Sequence, residues 1–172
     1  RERYGHTAEM RLFKKDRMVV FGGNVDEGTS CNELLQYNFK TKKWKELVCN
    51  TKHTISSQQA KPAPRDGHSC LIIGNDPDSE RMLLHGGNDG KQAFTDFWIY
   101  SFSGKEWYQV DVFPQTIAME PRSYHSMIYD KVTNRVVIYG GWTPNKNQVS
   151  GTILDLRFLE SKMQVNLLRA TR

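Results

Sequence analysis

The chain has 172 residues, a formal net charge of +5, 38% hydrophobic residues and 25% charged residues. That is ordinary globular composition at a length suited to one domain. No apolar run approaches the roughly 20 residues of a membrane-spanning helix, and the basic residues are not interleaved with aromatics, so neither a membrane partner nor a nucleic-acid partner is expected.

In chain order, Arg3-Tyr4-Gly5-His6-Thr7 leads into a first strand carrying Met10 and Leu12. Lys14-Lys15-Asp16 reads as a hairpin turn, and Arg17-Met-Val-Val-Phe-Gly-Gly23 as a second strand closed by a glycine pair. A loop over 24–32 precedes a third strand, Leu34-Leu35-Gln36-Tyr37, and a lysine-rich turn (Lys40, Lys42, Lys43, Lys45) leads into a short fourth strand opened by Trp44. Those lysines read as a solvated hairpin that also guards an edge strand.

After a long loop from Cys49 to Pro64 the order starts again. Arg65-Asp66-Gly67-His68-Ser69 precedes Leu71–Ile73, a turn at Asn75–Asp78, and Arg81-Met-Leu-Leu-His-Gly-Gly87. Then come a loop over 88–94, the strand Phe97-Trp98-Ile99-Tyr100, and Trp107. A third round begins at Arg122-Ser123-Tyr124-His125-Ser126, with Met127 and Ile128, a turn at Lys131–Asn134, and Arg135-Val-Val-Ile-Tyr-Gly-Gly141. It continues through a loop over 142–151 and the strand Leu154–Phe158; Met163 stands where the other rounds have tryptophan. The first glycines fall at 22, 86 and 140 and the histidines at 6, 68 and 125. Each round therefore predicts one meander of four short antiparallel strands, written three times. The glycine pairs permit positive φ and close backbone approach where each second strand ends.

The glycine pair, the aromatic near the end of the third strand and the tryptophan opening the fourth, repeated in the same order, resemble the kelch repeat. The resemblance covers residues 3 to about 168. It implies an all-β fold: a kelch-type β-propeller of three four-stranded antiparallel blades, over about 3–48, 65–112 and 122–168. Propellers commonly have about 4–8 blades, so three form a partial propeller with two open faces. The remaining blades are expected from the parent chain or another copy, and the isolated arc is expected to expose inter-blade aromatics and self-associate.

In a meander the start of strand one and the end of strand two lie on one edge. The loops after the glycine pairs therefore share a face with the segments leading into each Arg-x-x-His. The resemblance implies that this face carries the partner site, and loops on a rigid scaffold are where recognition concentrates. The candidate partner-binding residues are Arg3, Tyr4, Arg65, Asp66, Arg122, Tyr124, Asn88, Asp89 and Trp142. For Arg3, Arg65 and Arg122 two readings stand: a ring of forks gripping an acidic peptide or a terminal carboxylate, or a repeated role inside each blade. Trp142 is either an interface anchor or a residue packed beneath its own loop. Trp44, Trp107, Tyr37 and Tyr100 are expected as core between blades.

His6, His68 and His125 fall one per unit, each followed by Thr or Ser, which favours a repeated hydrogen bond at the strand start over a metal site. His53 and His85 show no partner in the sequence. Three cysteines without a C-x-x-C pair, and no Asn-x-Ser/Thr sequence, favour a reducing setting, the cytoplasm or the nucleus. Gly86–Lys91 is superficially like a phosphate loop, but its glycine spacing is short and Gln92 stands where Ser or Thr is needed. No cofactor is expected. The reading is a protein- or peptide-binding module, a substrate receptor or scaffold within a larger protein. The alternative is the propeller part of an enzyme, copper oxidase-like or fused to a catalytic domain such as a phosphatase.

Overall fold

The computed structural model describes residues 1–49, 61–114, 119–159 and 164–171. Met163, His53, most of the Cys49–Pro64 loop and part of the 113–121 loop lie outside the described residues. The described residues contain no α-helix. The first unit holds strands β1 (Thr7–Met10), β2 (Arg17–Phe21), β3 (Asn24–Asp26), β4 (Thr29–Ser30), β5 (Leu34–Asn38) and β6 (Lys43–Glu46). The second holds β7 (Ser69–Ile73), β8 (Arg81–His85), β9 (Phe97–Ser101) and β10 (Glu106–Phe113). The third holds β11 (Ser126–Asp130), β12 (Arg135–Tyr139), β13 (Trp142–Thr143), a 3-10 turn (Pro144–Lys146), β14 (Gln148–Val149), β15 (Ile153–Leu159) and β16 (Gln164–Thr171).

Each unit is the expected antiparallel meander: β1-β2-β5-β6, then β7-β8-β9-β10, then β11-β12-β15-β16. The registers repeat as well, with Met18 opposite Tyr37 in the first blade and Met82 opposite Tyr100 in the second. The small pairs β3–β4 and β13–β14 are hairpins within the loops that follow a glycine pair. The fold is all-β, a partial propeller of kelch type.

Side-chain alternation explains how the blades stack, because successive residues of a strand face opposite ways. From β8, Met82 and Leu84 point to the first blade and join Val19, Phe21 and Leu34 in one core, with Cys70, Ile72, Trp98, Tyr100 and Trp107. Leu83 points the other way, and with Ile73, Phe97, Ile99 and Val110 meets Met127, Val136, Ile138, Leu154 and Leu156 of the third blade. The middle blade is thus covered on both faces, which is why all five residues of β9 are buried.

Two expectations need correction. The fourth strand of the second blade is not short. β10 runs to Phe113, beyond the end of β9, and its last residues pair in parallel with β16, Asp111 opposite Gln164 and Phe113 opposite Asn166. The second and third blades therefore share one eight-stranded sheet wrapped around their common core. The aromatic core is also split. Trp107 and Tyr100 are buried at 8% and 1% exposure, but Trp44 is 54% exposed and Tyr37 is only half-buried. Trp107 is covered because Phe21 of the preceding blade stands 5.2 Å from it, and burying an indole of that size contributes roughly 4–6 kcal/mol as an upper estimate. Trp44 has the same place in its blade and leans on Tyr37, 4.9 Å away, as Trp107 leans on Tyr100 at 5.2 Å, but among the described residues no ring of another blade stands against it.

Candidate functional site

The edge deduced from the meander is the edge observed. In each blade the residue after the recurring arginine and the residue after the glycine pair form a bridge: Tyr4 with Asn24, Asp66 with Asn88, Ser123 with Trp142. Each bridge is a reciprocal pair of backbone bonds, such as Asp66 N to Asn88 O at 2.8 Å and Asn88 N to Asp66 O at 3.0 Å. Further backbone bonds tie blade to blade on this edge. Gly67 N donates to Gly5 O at 2.8 Å and Tyr124 N to Gly67 O at 2.6 Å. Gly23 N donates to Arg65 O and Gly87 N to Arg122 O, both at 2.9 Å.

The three arginines turn inward. Arg3, Arg65 and Arg122 each place Nη1 on the first glycine's carbonyl of their own blade, Gly22 at 2.9 Å, Gly86 at 3.0 Å and Gly140 at 3.2 Å. Arg3 also pairs with Glu33 at 2.8 Å, and Arg65 meets Asp96 through two bonds of 2.6 and 2.9 Å beneath the Phe94 ring. Arg122 donates to Gly140 O and Thr152 O, at 3.2 and 3.5 Å, and burial lowers its pKa against the opposing pull of the Glu120 charge. Arg65 and Arg122 are fully buried. Of the two readings offered for these residues, the geometry supplies the role inside the blade; the surface at this edge is made by their neighbours.

Those neighbours converge between the second and third blades. Tyr124 occupies the position that is glycine in the other two units, and all three share a left-handed backbone, φ +65° at Gly5, +62° at Gly67 and +56° at Tyr124. Glycine is at ease there; a side chain costs about 1–2 kcal/mol. Tyr124 is therefore strained, and its ring lies across Gly67, where a Cβ would be 3.0 Å from it. Its hydroxyl donates to Asp66 Oδ2 at 2.6 Å, which with burial pushes the phenol pKa up to about 12. Asp66 is buried and also accepts from Ser30 Oγ at 3.3 Å.

The loop at 88–93 is pre-shaped by its own side chains. Asp89 Oδ1 accepts the amides of Lys91 and Gln92 at 2.9 and 2.8 Å, and Asn88 Oδ1 accepts Gly90 N at 3.0 Å. Partial burial acts to raise the Asp89 pKa, but these donated bonds outweigh it and lower the carboxyl. Asn88 Nδ2 reaches across to Ser123 Oγ at 3.3 Å. The result is an open cleft of about 290 Å³ lined by Asn88, Gly90, Lys91, Gln92, Ala93, Ser123, Tyr124, Trp142 and Pro144. Tyr124 and Trp142 remain 64% and 39% exposed. The structure thus brings Asn88, Tyr124 and Trp142 together, with Asp89 shaping the loop and Asp66 anchoring Tyr124. Tyr4, on the first blade, is exposed and does not line the cleft, though it acts electrostatically on Tyr124. Lys91, Gln92 and Pro144 are lining residues that sequence reasoning missed; the Asn-Asp-Gly turn preceding Lys91 was the available signal.

The histidines serve the junctions. Thr7 Oγ1 lies 3.0 Å from His68 Nε2, and Ser69 Oγ donates to His125 O at 2.6 Å. His85 stacks on Phe97 at 4.0 Å and meets His125 edge-on at 5.1 Å. Among the described residues no group of three His, Cys, Asp or Glu side chains is placed to hold a metal ion. Cys31, Cys49 and Cys70 form no disulfide among the described residues.

Residues 1–162 match the model of the KLHDC2/KLHL20/DRC7 Kelch-repeats domain. The chain is 27% identical over 140 residues to Host cell factor 1 of Homo sapiens, an overlap of 73% of this chain and 6% of that protein. It is 28% identical over 125 residues to Kelch domain-containing protein 10 of Homo sapiens and of Rattus norvegicus, covering 72% of this chain and 25% and 27% of those proteins. The chain thus spans at most about a quarter of the length of these relatives. With three units sharing register, the buried arginine on its glycine carbonyl, and a family match over nearly its whole length, the chain belongs to the kelch-repeat family.

Proposed function

We propose that this chain is a protein-interaction module that binds a segment of a partner protein on its loop face, acting as a substrate receptor or scaffold within a larger protein of the cytoplasm or nucleus. The observation that carries the proposal is the cleft between the second and third blades. It combines two exposed aromatics, a pre-shaped loop and a non-glycine residue held in left-handed strain. Strain of that kind persists where the surrounding structure enforces it, and it clusters at ligand clamps. Trp142, Tyr124 and Pro144 suit an apolar side chain, and Lys91 at the rim suits an acidic residue beside it.

Panning a displayed peptide library against the chain tests this. Enriched peptides should carry an acidic residue next to an apolar one. Trp142→Ala and Tyr124→Gly should each weaken them about tenfold or more. Asp78→Ala and Val132→Ala, in turns on the opposite edge, should leave binding unchanged. The reverse pattern would move the site to that edge, and failure to enrich any peptide that depends on Trp142 would refute the proposal.

A further inference from the structure

The turn edge opposite the loop face carries a cavity of about 350 Å³ between the first and second blades. Four cations line it, Arg11, Lys14 and Lys45 from the first blade and Lys105 from the second, and no acid does among the described residues. The fold fixes where these side chains start. Lys14 sits in the β1–β2 turn, closed by Arg17 N on Lys14 O at 2.8 Å, and Lys105 in the β9–β10 turn, closed by its own N on Ser101 O at 2.8 Å. Lys45 stands opposite Gln36 in the β5–β6 ladder. Of the lysines around the first blade's outer turn, it is the one that lines the cavity.

Side-chain acceptors around these cations are already taken. Glu80 gives Oε2 to Arg11 Nε at 2.9 Å and Oε1 to Leu12 N at 2.7 Å. Gln36 Oε1 accepts Arg11 Nη1 at 3.4 Å, which leaves the amide nitrogen as a donor. Asp16, in the same turn as Lys14, holds Arg17 at 2.9 Å and Lys40 at 4.0 Å. Glu106 accepts the Tyr108 hydroxyl at 2.7 Å. Tyr100 supplies an independent sign. It is 1% exposed and lines the cavity, and its ring is held by Phe102 and Trp107, 5.3 and 5.2 Å away. Its hydroxyl makes no hydrogen bond among the described residues, although a buried hydroxyl ordinarily finds one. Burial pushes this phenol up to about 12, so it stays protonated and able to donate. The cavity is thus walled by donors, with Leu47, Val48 and Phe102 as an apolar side.

We infer that this cavity binds a phosphomonoester, its oxygens on Lys14, Lys45, Lys105 and the Tyr100 hydroxyl and its organic body against Leu47, Val48 and Phe102. Lysines suit phosphate because each acts as a point charge and needs no bidentate geometry. Near neutral pH a phosphomonoester carries about −1.5 to −2 charges and three acceptor oxygens, enough to meet several donors at once. A carboxylate brings one charge and two oxygens and would leave part of the donor set unmet. The same phosphate chemistry is offered by a free organic phosphate and by a phosphorylated side chain of a partner. This inference does not depend on the proposed peptide cleft, which lies on the other edge and shares no lining residue with this cavity.

Titration of the whole chain with phenyl phosphate, followed by amide NMR spectra, provides the test. Shifts should centre on Lys14, Lys45, Tyr100 and Lys105 and saturate with a Kd of about 1 mM or tighter. Phenyl sulfate, similar in shape with a single charge, should bind at least about threefold more weakly. Lys45→Ala and Lys105→Ala, at exposed positions, should each weaken phenyl phosphate about threefold. Tyr100→Phe keeps the packed ring and should weaken it about tenfold through the lost bond to a charged group. Lys42→Ala, outside the cavity, should change nothing. A capped glycine–phosphoserine–glycine peptide separates the two sources. Tighter binding than phenyl phosphate assigns the site to a partner's phosphorylated segment, weaker binding to free organic phosphates, and both uphold the shared chemistry. No saturable shift at these residues, equal binding of the sulfate, or a Tyr100→Phe variant that binds as the parent does would each overturn the inference.

Discussion

His68, His85 and His125 are buried beside arginines, and each loses basicity for that reason. Burial and the Arg65 charge lower His68 to about 3, burial and Arg122 lower His125 to about 4, and burial with the neighbouring His125 takes His85 well below its usual value. In the unfolded chain the same rings take up a proton near pH 6.5. The unfolded state therefore binds more protons below that pH, so stability is full above about 6.5 and falls as the pH drops toward the folded values. One pH unit below 6.5 the loss is on the order of 1 kcal/mol for each ring held neutral, and several kcal/mol for the three together. Urea unfolding at pH 7.5 and 5.5 measures it; equal stability at both would show that the rings are not held neutral. A hydrogen-bonding role near the strand start was legible for His68 and His125, because a hydroxyl residue follows each as Thr7 follows His6; His85, at a strand end before a glycine pair, gave no such signal. The direction of the arginines was not. A fork that reaches the glycine carbonyl and one that reaches solvent follow the same sequence. Glu33 and Asp96, about ten residues beyond the first two glycine pairs, reinforce the inward direction of Arg3 and Arg65, while Arg122 turns inward onto Gly140 O without such a bond.

At the scale of the element, the junction between the first two blades turns on Glu80. It is fully buried and holds Arg11 through Nε at 2.9 Å, and it also accepts Leu12 N at 2.7 Å. Arg11 lies flat on Phe102, 3.6 Å from the ring centre. Removing one member of a buried pair leaves the other charge unsolvated, so Glu80→Ala should cost about 3–5 kcal/mol, and adding Arg11→Met should recover much of it. A double-mutant cycle read by thermal melting checks both values; additive losses would mean that the pair is uncoupled. The order of strands was legible from turn residues and apolar runs, which are local. The reach of β10 to β16 was not, because alternation fixes which face a strand buries and says nothing of a parallel partner 53 residues away. Trp44 misleads for a related reason: its identity marks the position in the blade, but its burial depends on what stands in front.

Across the whole molecule the three blades are unequally bound. The second and third share a continuous sheet as well as a core, whereas the first is held by its side-chain core, the Arg11–Glu80 pair and a few backbone bonds at the loop edge. Elements with fewer shared bonds open at lower free energy. Amide exchange followed by mass spectrometry should show β1, β2 and β5 losing protection before β8 and β9; protection of equal strength in all three blades would contradict this hierarchy.

The line of backbone bonds through Gly5, Gly67 and Tyr124 has one further consequence. It assigns a single position in each repeat to the rim of the loop face, and at two of the three that seat carries no side chain. A side chain at Gly5 or Gly67 would meet Asp66 Cβ or the Tyr124 ring at 3.0 Å, so Tyr124 is the member of this line whose side chain shapes the exterior while both cores beneath stay untouched.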